Sequence, residues 1–184
     1  MSSYCDFAIS NEIHGPYHDR VHGFPTDSEP ELFERLLLEI NQAGLSWDLM
    51  LKKREGFRAA YSGFVVDKVA AYGEEDRARL LNDPGIIRNK LKVNASIVNA
   101  RTILAMRNSH GGFAAWLRAH HPMKKADWVK LFKKTFKFTG GEITGEFLMS
   151  IGYLPCSHHE DCPVFKEIAL LKPPWMEMEP SFWE

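Results

Sequence analysis

The strongest constraint on the fold is a series of segments whose apolar residues recur at helical spacing, while strand patterns are nearly absent. In the clearest segment the apolar residues are Leu32, Phe33, Leu36, Leu37 and Ile40. Steps of three and four residues place these side chains on one face of an amphipathic α-helix. Gly44 ends this segment, and Pro84-Gly85 interrupts the chain before a longer helical pattern. The sequence therefore predicts an all-α fold.

The same periodicity predicts further helices along most of the chain. We expect them near residues 46–51, 67–72, 74–81, 93–104, 113–120, 127–136 and 142–152. Prolines at positions 155, 163, 173 and 174 argue against much regular structure after residue 152. We expect one domain over residues 1–165 and a tail rich in aromatic and acidic residues over 166–184.

Composition and charge exclude several classes of protein. With 184 residues, 45% of them hydrophobic, the chain can bury a core without disulfide staples. It has three cysteines, no leader-like start and no apolar run of membrane-spanning length. We therefore expect a cytoplasmic protein without a membrane partner. A net charge of −1 argues against coating nucleic acid through bulk charge, although cations cluster locally.

Potential metal ligands concentrate at the two ends of the chain. They are Cys5 and His18 near the start, and Cys156, His158, His159 and Cys162 near the end. Thiolates and imidazoles are the ligands of tetrahedral structural zinc, and such a site would join the two termini. The pair His158 and Cys162 is our first choice, while His159 and Cys156 stay open. The spacing alone equally allows unrelated surface histidines and buried thiols.

A second candidate site lies at residues 80–90, where a helical pattern is followed by Asp83-Pro84-Gly85 and then by a second helix with Arg88 and Lys90 beside it. This order predicts a helix-hairpin-helix. Backbone N–H groups of such a hairpin capture phosphate, and nearby cations add charge. The alternative is an ordinary turn with solvated lysines. Leu91 stands where such hairpins usually carry glycine.

Glu39 is a candidate binding residue because it borders the apolar face of its helix. A carboxylate in that position needs a partner or a ligand. Trp47 follows at the start of the next helix, and Tyr17 precedes the candidate ligand His18. The three side chains are suited to line one cavity with an acceptor and flat aromatic surfaces. The alternative is a core tryptophan and a carboxylate paired within the protein.

Several strings of the sequence together resemble the signature blocks of the 3-methyladenine DNA glycosylase I family, in the family's order. They are Tyr17-His18-Asp19, the string Leu38 to Trp47 (LEINQAGLSW), Leu51 to Glu55 (LKKRE), Gly85 to Arg88 (GIIR) and Phe136 to Gly140 (FKFTG). The resemblance covers about residues 5–162. It implies the all-helical fold of the helix-hairpin-helix glycosylases, with the hairpin motif near 78–100 and a structural zinc site near the termini.

The resemblance also implies a function, hydrolysis of the N-glycosidic bond of an extruded alkylated purine, chiefly 3-methyladenine. We expect a monomeric, monofunctional enzyme that acts at the nucleoid on double-stranded DNA with alkylated bases and yields free 3-methyladenine. The expected catalytic residue is Glu39, and the expected substrate-binding residues are Tyr17, Trp47, Phe7 and His22. The expected DNA contacts are Gly85, Ile86, Ile87, Arg88, Lys90 and Lys92. The expected zinc ligands are Cys5, His18, His158 and Cys162.

The chain departs from the family pattern at the rim of the expected pocket. Phe7, His14 and His22 stand where Trp, Tyr and Trp are expected, and residues 141–146 (GEITGE) replace a stretch with Thr, Tyr and Ser. Glu142 and Glu146 either form a solvated helix edge, which we favour, or a new acid pair. The alternative function is therefore a non-catalytic or altered-specificity DNA-binding protein of the same fold.

Overall fold

The computed structural model describes residues 4–183, and within this range the chain forms α-helices and no β-strand. The helices are α1 (Tyr4–Ala8), α2 (Gly15–Arg20), α3 (Glu29–Gln42), α4 (Trp47–Ala60), α5 (Val66–Ala70), α6 (Glu74–Asn82), α7 (Lys90–His110), α8 (Phe113–His120), α9 (Lys125–Thr135), α10 (Gly141–Ser150) and α11 (Pro163–Leu170). Short 3₁₀ turns lie at Ser62–Phe64, Pro174–Glu177 and Pro180–Phe182. The all-α prediction is confirmed.

Helix α3 is central to the fold because it is buried on most of its surface and contacts α4, α7, α8 and α10. Its apolar residues occupy the core as the periodicity predicted. Its buried Glu34 also bonds Arg54 and Arg58 of α4, at 2.6 and 2.8 Å. Ser46 caps α4 by accepting a hydrogen bond from the Leu49 N–H. The α3–α4 pair is thus held both by apolar burial and by two ion pairs to a buried carboxylate.

The second half of the core is aromatic. The ring of Phe113 on α8 stacks on Phe147 of α10 at a centroid distance of 5.9 Å, and Phe132 of α9 packs against Phe147 at 5.7 Å. These large rings bury much apolar area and tie α8, α9 and α10 together. As a result α10 is fixed beside α3, and residues of both helices line one cavity.

The connection between α6 and α7 is a tight hairpin, as predicted. The Asp83 side chain accepts a hydrogen bond from the Gly85 N–H at 2.7 Å, and the Lys53 ammonium donates to the Pro84 carbonyl at 2.6 Å. A side chain at Gly56 of α4 would collide with the Gly85 carbonyl oxygen. The hairpin is therefore packed directly on α4 and held in a fixed position.

The two ends of the chain pack together, and the expected division at residue 165 does not coincide with a break in the structure. Helix α11 runs through that position and buries Val164 and Ile168 beside Cys5. This helix also departs from the expectation of little regular structure after residue 152, because Pro163 stands in its first turn, where proline is tolerated. Trp183 packs against the main core.

Within residues 4–183, no helix combines the length and the apolar character needed to cross a bilayer.

Candidate active site and metal centre

Four buried side chains from the two ends of the chain converge on one point. They are Cys5 of α1, His18 of α2, and His158 and Cys162 before α11, and their ligand atoms all lie within 4.8 Å of one another. The His18 Nε2 and His158 Nδ1 atoms are 3.1 Å apart, and each is 3.7 Å from the Cys162 sulfur. A tetrahedral zinc would separate two nitrogens by about 3.3 Å and a nitrogen from a sulfur by about 3.6 Å.

Hydrogen bonds behind the cluster orient both imidazoles for metal binding. The His18 Nδ1–H donates to Asp19 at 2.7 Å, and the His158 Nε2–H donates to the His22 carbonyl at 2.7 Å. Each bond fixes the tautomer, so the remaining ring nitrogen presents its lone pair to the cluster. His159 and Cys156 are exposed and lie outside the cluster. The donor set of two thiols and two imidazoles fits a closed structural metal site.

A cavity of about 570 Å³ opens beside the cluster, between α3 and α10. It is lined by Tyr4, Tyr17, His22, Glu39, Gln42, Trp47, Glu142, Glu146, Met149, Cys156 and Ser157. Its size is in the range of about 300–1,000 Å³ that is typical of small-molecule sites. The lining brings together four residues that the sequence analysis assigned to a base pocket: Glu39, Tyr17, Trp47 and His22.

Glu39 is the most unusual residue of the cavity, because it is only 5% exposed and no described residue hydrogen-bonds its carboxylate. Burial, and then the nearby charge of Glu146, raise the pKa of Glu39 well above its usual range. A buried carboxylate without a partner is costly unless a ligand completes it. The cavity therefore contains a buried carboxyl group to which no residue of the described range 4–183 donates a hydrogen bond.

Aromatic rings surround this carboxylate. The rings of Tyr17 and Trp47 meet edge to face at 5.1 Å, and His22 lies 5.7 Å from Tyr17. Burial, with the neighbouring His158, lowers the pKa of His22 to about 3, so this imidazole is neutral. Burial raises the pKa of Tyr4 to about 12, and its hydroxyl lies 3.3 Å from the ring of His14. A flat, polarisable ligand fits between such surfaces.

The structure separates Phe7 from the expected pocket. Its side chain is 51% exposed, packs edge-on against His14 at 5.0 Å and does not line the cavity. Helix α1 instead directs Tyr4 inward, and the sequence analysis missed this residue. The signal was available: Tyr4 directly precedes the ligand candidate Cys5, as Tyr17 precedes His18. Because Cys5 and His18 are fixed in the cluster, the tyrosines directly before them, Tyr4 and Tyr17, are fixed as well.

The hairpin presents two of the expected DNA contacts to solvent. Arg88 and Lys90 are exposed and form no ion pair with a described residue. Asn89 caps α7 by accepting from the N–H groups of Leu91 and Lys92. Around it, no acceptor in residues 4–183 bonds the N–H groups of Ile87, Arg88 and Lys90. The side chain of Ile86 is buried, so only its backbone faces the hairpin.

Lys92 contradicts the expectation of a phosphate contact. It is 5% exposed, and its ammonium donates to the carbonyls of Asn41 and Ala43, both at 2.7 Å. These are carbonyls at the C-terminal end of α3, which a helix leaves without intrahelical partners. Burial lowers the pKa of Lys92. The residue therefore fixes the end of α3, beside the cavity residue Gln42, instead of facing solvent.

Comparisons with known proteins identify relatives of this chain. The family profile described as methyladenine glycosylase matches residues 7–130. DNA-3-methyladenine glycosylase 1 of Escherichia coli K12 is 35% identical over 167 residues, which cover 80% of this chain and 89% of that protein. DNA-3-methyladenine glycosylase of Haemophilus influenzae is 31% identical over 182 residues, which cover 89% of this chain and 98% of that protein.

A similar solved structure gives the same picture of the fold. It is the 3-methyladenine DNA glycosylase I of Staphylococcus aureus, solved to describe recognition of 3-methyladenine. It superposes with a TM-score of 0.79 at 29% identity and covers 89% of this chain and 96% of that one.

Proposed function

This chain belongs to the methyladenine glycosylase family, and we propose that it is a DNA repair enzyme that excises 3-methyladenine from double-stranded DNA. The observation that carries the proposal is the buried carboxylate of Glu39, to which no described residue donates a hydrogen bond, in a cavity lined by Tyr4, Tyr17 and Trp47. This combination suits a planar cationic base that has an amino edge to donate.

We propose the following roles in recognition. Glu39 accepts hydrogen bonds from the amino edge of the extruded base, while Trp47 and Tyr17 provide aromatic surfaces for its electron-poor ring. The nucleotide reaches the cavity by flipping out of the duplex, which costs a few kcal/mol and less for a damaged base. His22 lies beside Tyr17 as a neutral wall of the same cavity.

The protein needs to supply little activation of the leaving group, because the methylated base is already a cation before it leaves. The bond between the base and the sugar C1′ breaks, and its electron pair neutralises the departing base. A water oxygen then bonds to C1′ and releases a proton. Glu39 supports this step by complementing the positive charge of the bound nucleotide. No lysine is among the cavity residues, which fits a monofunctional enzyme without a Schiff base.

We further propose that Cys5, His18, His158 and Cys162 hold a structural zinc ion. The donor set, the distances and the orienting bonds from Asp19 and the His22 carbonyl support this assignment. A site with four protein ligands has no open position for substrate. The metal would act on stability and on the position of Tyr4 and Tyr17, and take no part in hydrolysis.

The hairpin is proposed to hold the DNA backbone. Gly85 and Ile86 shape the turn, while the free N–H groups of Ile87, Arg88 and Lys90, with the two exposed cations, are suited to bind phosphate. Such contacts position the duplex without reading its sequence. Lys92 is left out of this surface because its ammonium is buried.

The decisive experiment is base release from methylated duplex DNA, compared for wild type, Glu39→Gln and Trp47→Ala. We expect wild type to release 3-methyladenine. Loss of the indole should weaken binding of the free base by about 1–3 kcal/mol, because stacking is lost. The Glu39 variant should lose affinity while its helical circular dichroism is unchanged.

Two outcomes would contradict the proposal. Variants that match wild type in rate and affinity would remove Glu39 and Trp47 from the pocket. A wild type that binds methylated DNA or the free base but releases nothing would instead establish a non-catalytic DNA-binding protein.

A further inference from the structure

Two glutamates besides Glu39 line the cavity, and the proposed recognition of the base does not use them. Glu146 of α10 lines the same cavity as Glu39 of α3, and so does Glu142, which lies one turn earlier on α10. Glu142 is exposed, whereas Glu146 is half-buried. Both glutamates line the cavity, so the structure departs from the expectation of a solvated helix edge, and the half-buried Glu146 is the one whose charge raises the pKa of Glu39.

Neither Glu39 nor Glu146 is neutralised by a close cation. No ion pair within residues 4–183 includes either carboxylate. Burial raises the pKa of Glu146, the charge of Lys125 lowers it, and the charge of Glu142 raises it further. Lys125 reaches this place because position 145 is glycine: a side chain there would lie 2.6 Å from the Lys125 Cε and 2.8 Å from its Nζ.

Glu39 and Glu146, the two carboxylates of the cavity that are not exposed, distinguish between ligands by charge. A neutral purine would desolvate the acids and leave their mutual repulsion in place, so it gains little from the second carboxylate. A cation between them is attracted by both. An opposite charge within about 4–6 Å shifts an ionisation by one to three pKa units, which corresponds to tenfold or more in affinity.

We infer that Glu146 is a specificity-determining residue which, together with Glu39, makes the cavity select cationic N-alkylpurines over neutral purines. The inference rests on the proposed function and deepens it. The alkylated nucleotide in DNA carries a positive charge, while the released base takes the bond electrons and leaves neutral. The acid pair therefore holds the lesion more strongly than the product and speeds clearance of the cavity. Any purine made cationic by alkylation of a ring nitrogen belongs to the preferred class if it fits the cavity.

The test compares two small ligands at about pH 8, well above the ordinary pKa of a carboxyl group, because burial raises the pKa of both Glu39 and Glu146 and the expected attraction requires their ionised forms. One is 3,9-dimethyladeninium, a permanent cation with a methyl group at the sugar position, and the other is neutral 3-methyladenine. Dissociation constants are measured by calorimetry for the metal-loaded protein. We expect Glu146→Gln to weaken binding of the cation about tenfold and to leave the neutral base within about threefold. Equal losses for both ligands would show a packing role, and no loss would remove Glu146 from recognition.

Three further variants secure the result. Glu75→Gln makes the same chemical change at an exposed residue of α6 and should alter neither constant. Glu146→Asp keeps the charge and should keep most of the selectivity. Lys125→Gln removes a surface cation that opposes Glu146, so affinity for the cation should rise. A fall or no change in that variant would contradict the inference even if Glu146→Gln failed to fold.

Base release by wild type, measured in parallel, separates the two proposals. Release of 3-methyladenine together with unchanged charge selectivity in Glu146→Gln would overturn the inference and leave the enzyme function intact. Charge-selective binding by a wild type that releases no base would support the inference and overturn the enzyme function.

Discussion

The metal cluster and the base cavity are built from neighbouring residues but treat buried polar groups in opposite ways. Tyr4 and Tyr17 face the cavity, and the residues directly after them, Cys5 and His18, face the cluster. In the cluster the ligand atoms face one another, and the histidines are oriented by bonds behind them. In the cavity the Glu39 carboxylate has no partner in the described part of the chain, and the buried His22 Nδ1 likewise lacks one.

The difference indicates that the two regions have different roles, stability for the cluster and ligand binding for the cavity. A closed set of ligands gains stability when it binds a metal, and it holds the adjacent tyrosines in place. An open set of polar groups costs stability in the free protein, and a ligand can recover that cost. Substitutions in the two regions should therefore change the stability of the free protein in opposite directions.

The largest expected effect comes from the cluster. Cys162→Ser removes one of two thiolates, so zinc content should fall from about one ion per chain. The free energy of unfolding should fall by several kcal/mol, because structural zinc sites contribute about 10–16 kcal/mol in small domains. Elemental analysis and thermal unfolding measure the two effects. Cys156→Ser is the matched control, since Cys156 is exposed and outside the cluster. Equal metal content in the two variants would refute the assignment.

The next-largest expected effect concerns Lys92, which fixes the end of α3 beside the cavity. Lys92→Met keeps an apolar stem but leaves the carbonyls of Asn41 and Ala43 without their charged donor. We expect a loss of about 1.5–3 kcal/mol in urea unfolding, the range for hydrogen bonds to charged groups. The salt dependence of DNA binding should not change. Lys90→Ala should instead reduce the salt slope by about one and change stability by less than about 0.5 kcal/mol. The reverse pattern would place Lys92 on the DNA surface.

The smallest effect has the opposite sign. Because burial and Glu146 raise the pKa of Glu39, the folded protein favours the protonated acid. The stability that this group contributes is complete below its ordinary pKa and is lost as the pH rises through the raised value. Glutamine cannot ionise, so Glu39→Gln should be more stable than wild type by about 0.5–2 kcal/mol at neutral and alkaline pH.

Thermal unfolding of both proteins from about pH 4 to about pH 9 measures this difference. The two curves should converge in acid, where Glu39 is protonated. A Glu39→Gln protein that is less stable than wild type at neutral pH would show that the carboxylate is satisfied within the fold, and the contrast between cluster and cavity would be lost.

The sequence by itself determined the helical fold and which residue types could form each site. Helical periodicity depends on residues a few positions apart, so α3, α4, α7 and α8 were predictable. The candidate ligands Cys5, His18, His158 and Cys162 could be named from their chemistry and from the family resemblance. The choice between His158 and His159 could not be settled, because both are histidines and the sequence does not show in which direction each side chain points.

Tertiary structure decided where each side chain points and what surrounds it. Lys92 looks like a DNA contact in the sequence, yet packing of α7 against α3 places it under the Asn41 and Ala43 carbonyls. Tyr4 enters the cavity and Phe7 remains outside, although they are one helical turn apart. Glu146 lines the same cavity as Glu39 because α10 packs against α3. These outcomes depend on contacts between residues distant in the chain, and local sequence patterns carry no information about such contacts.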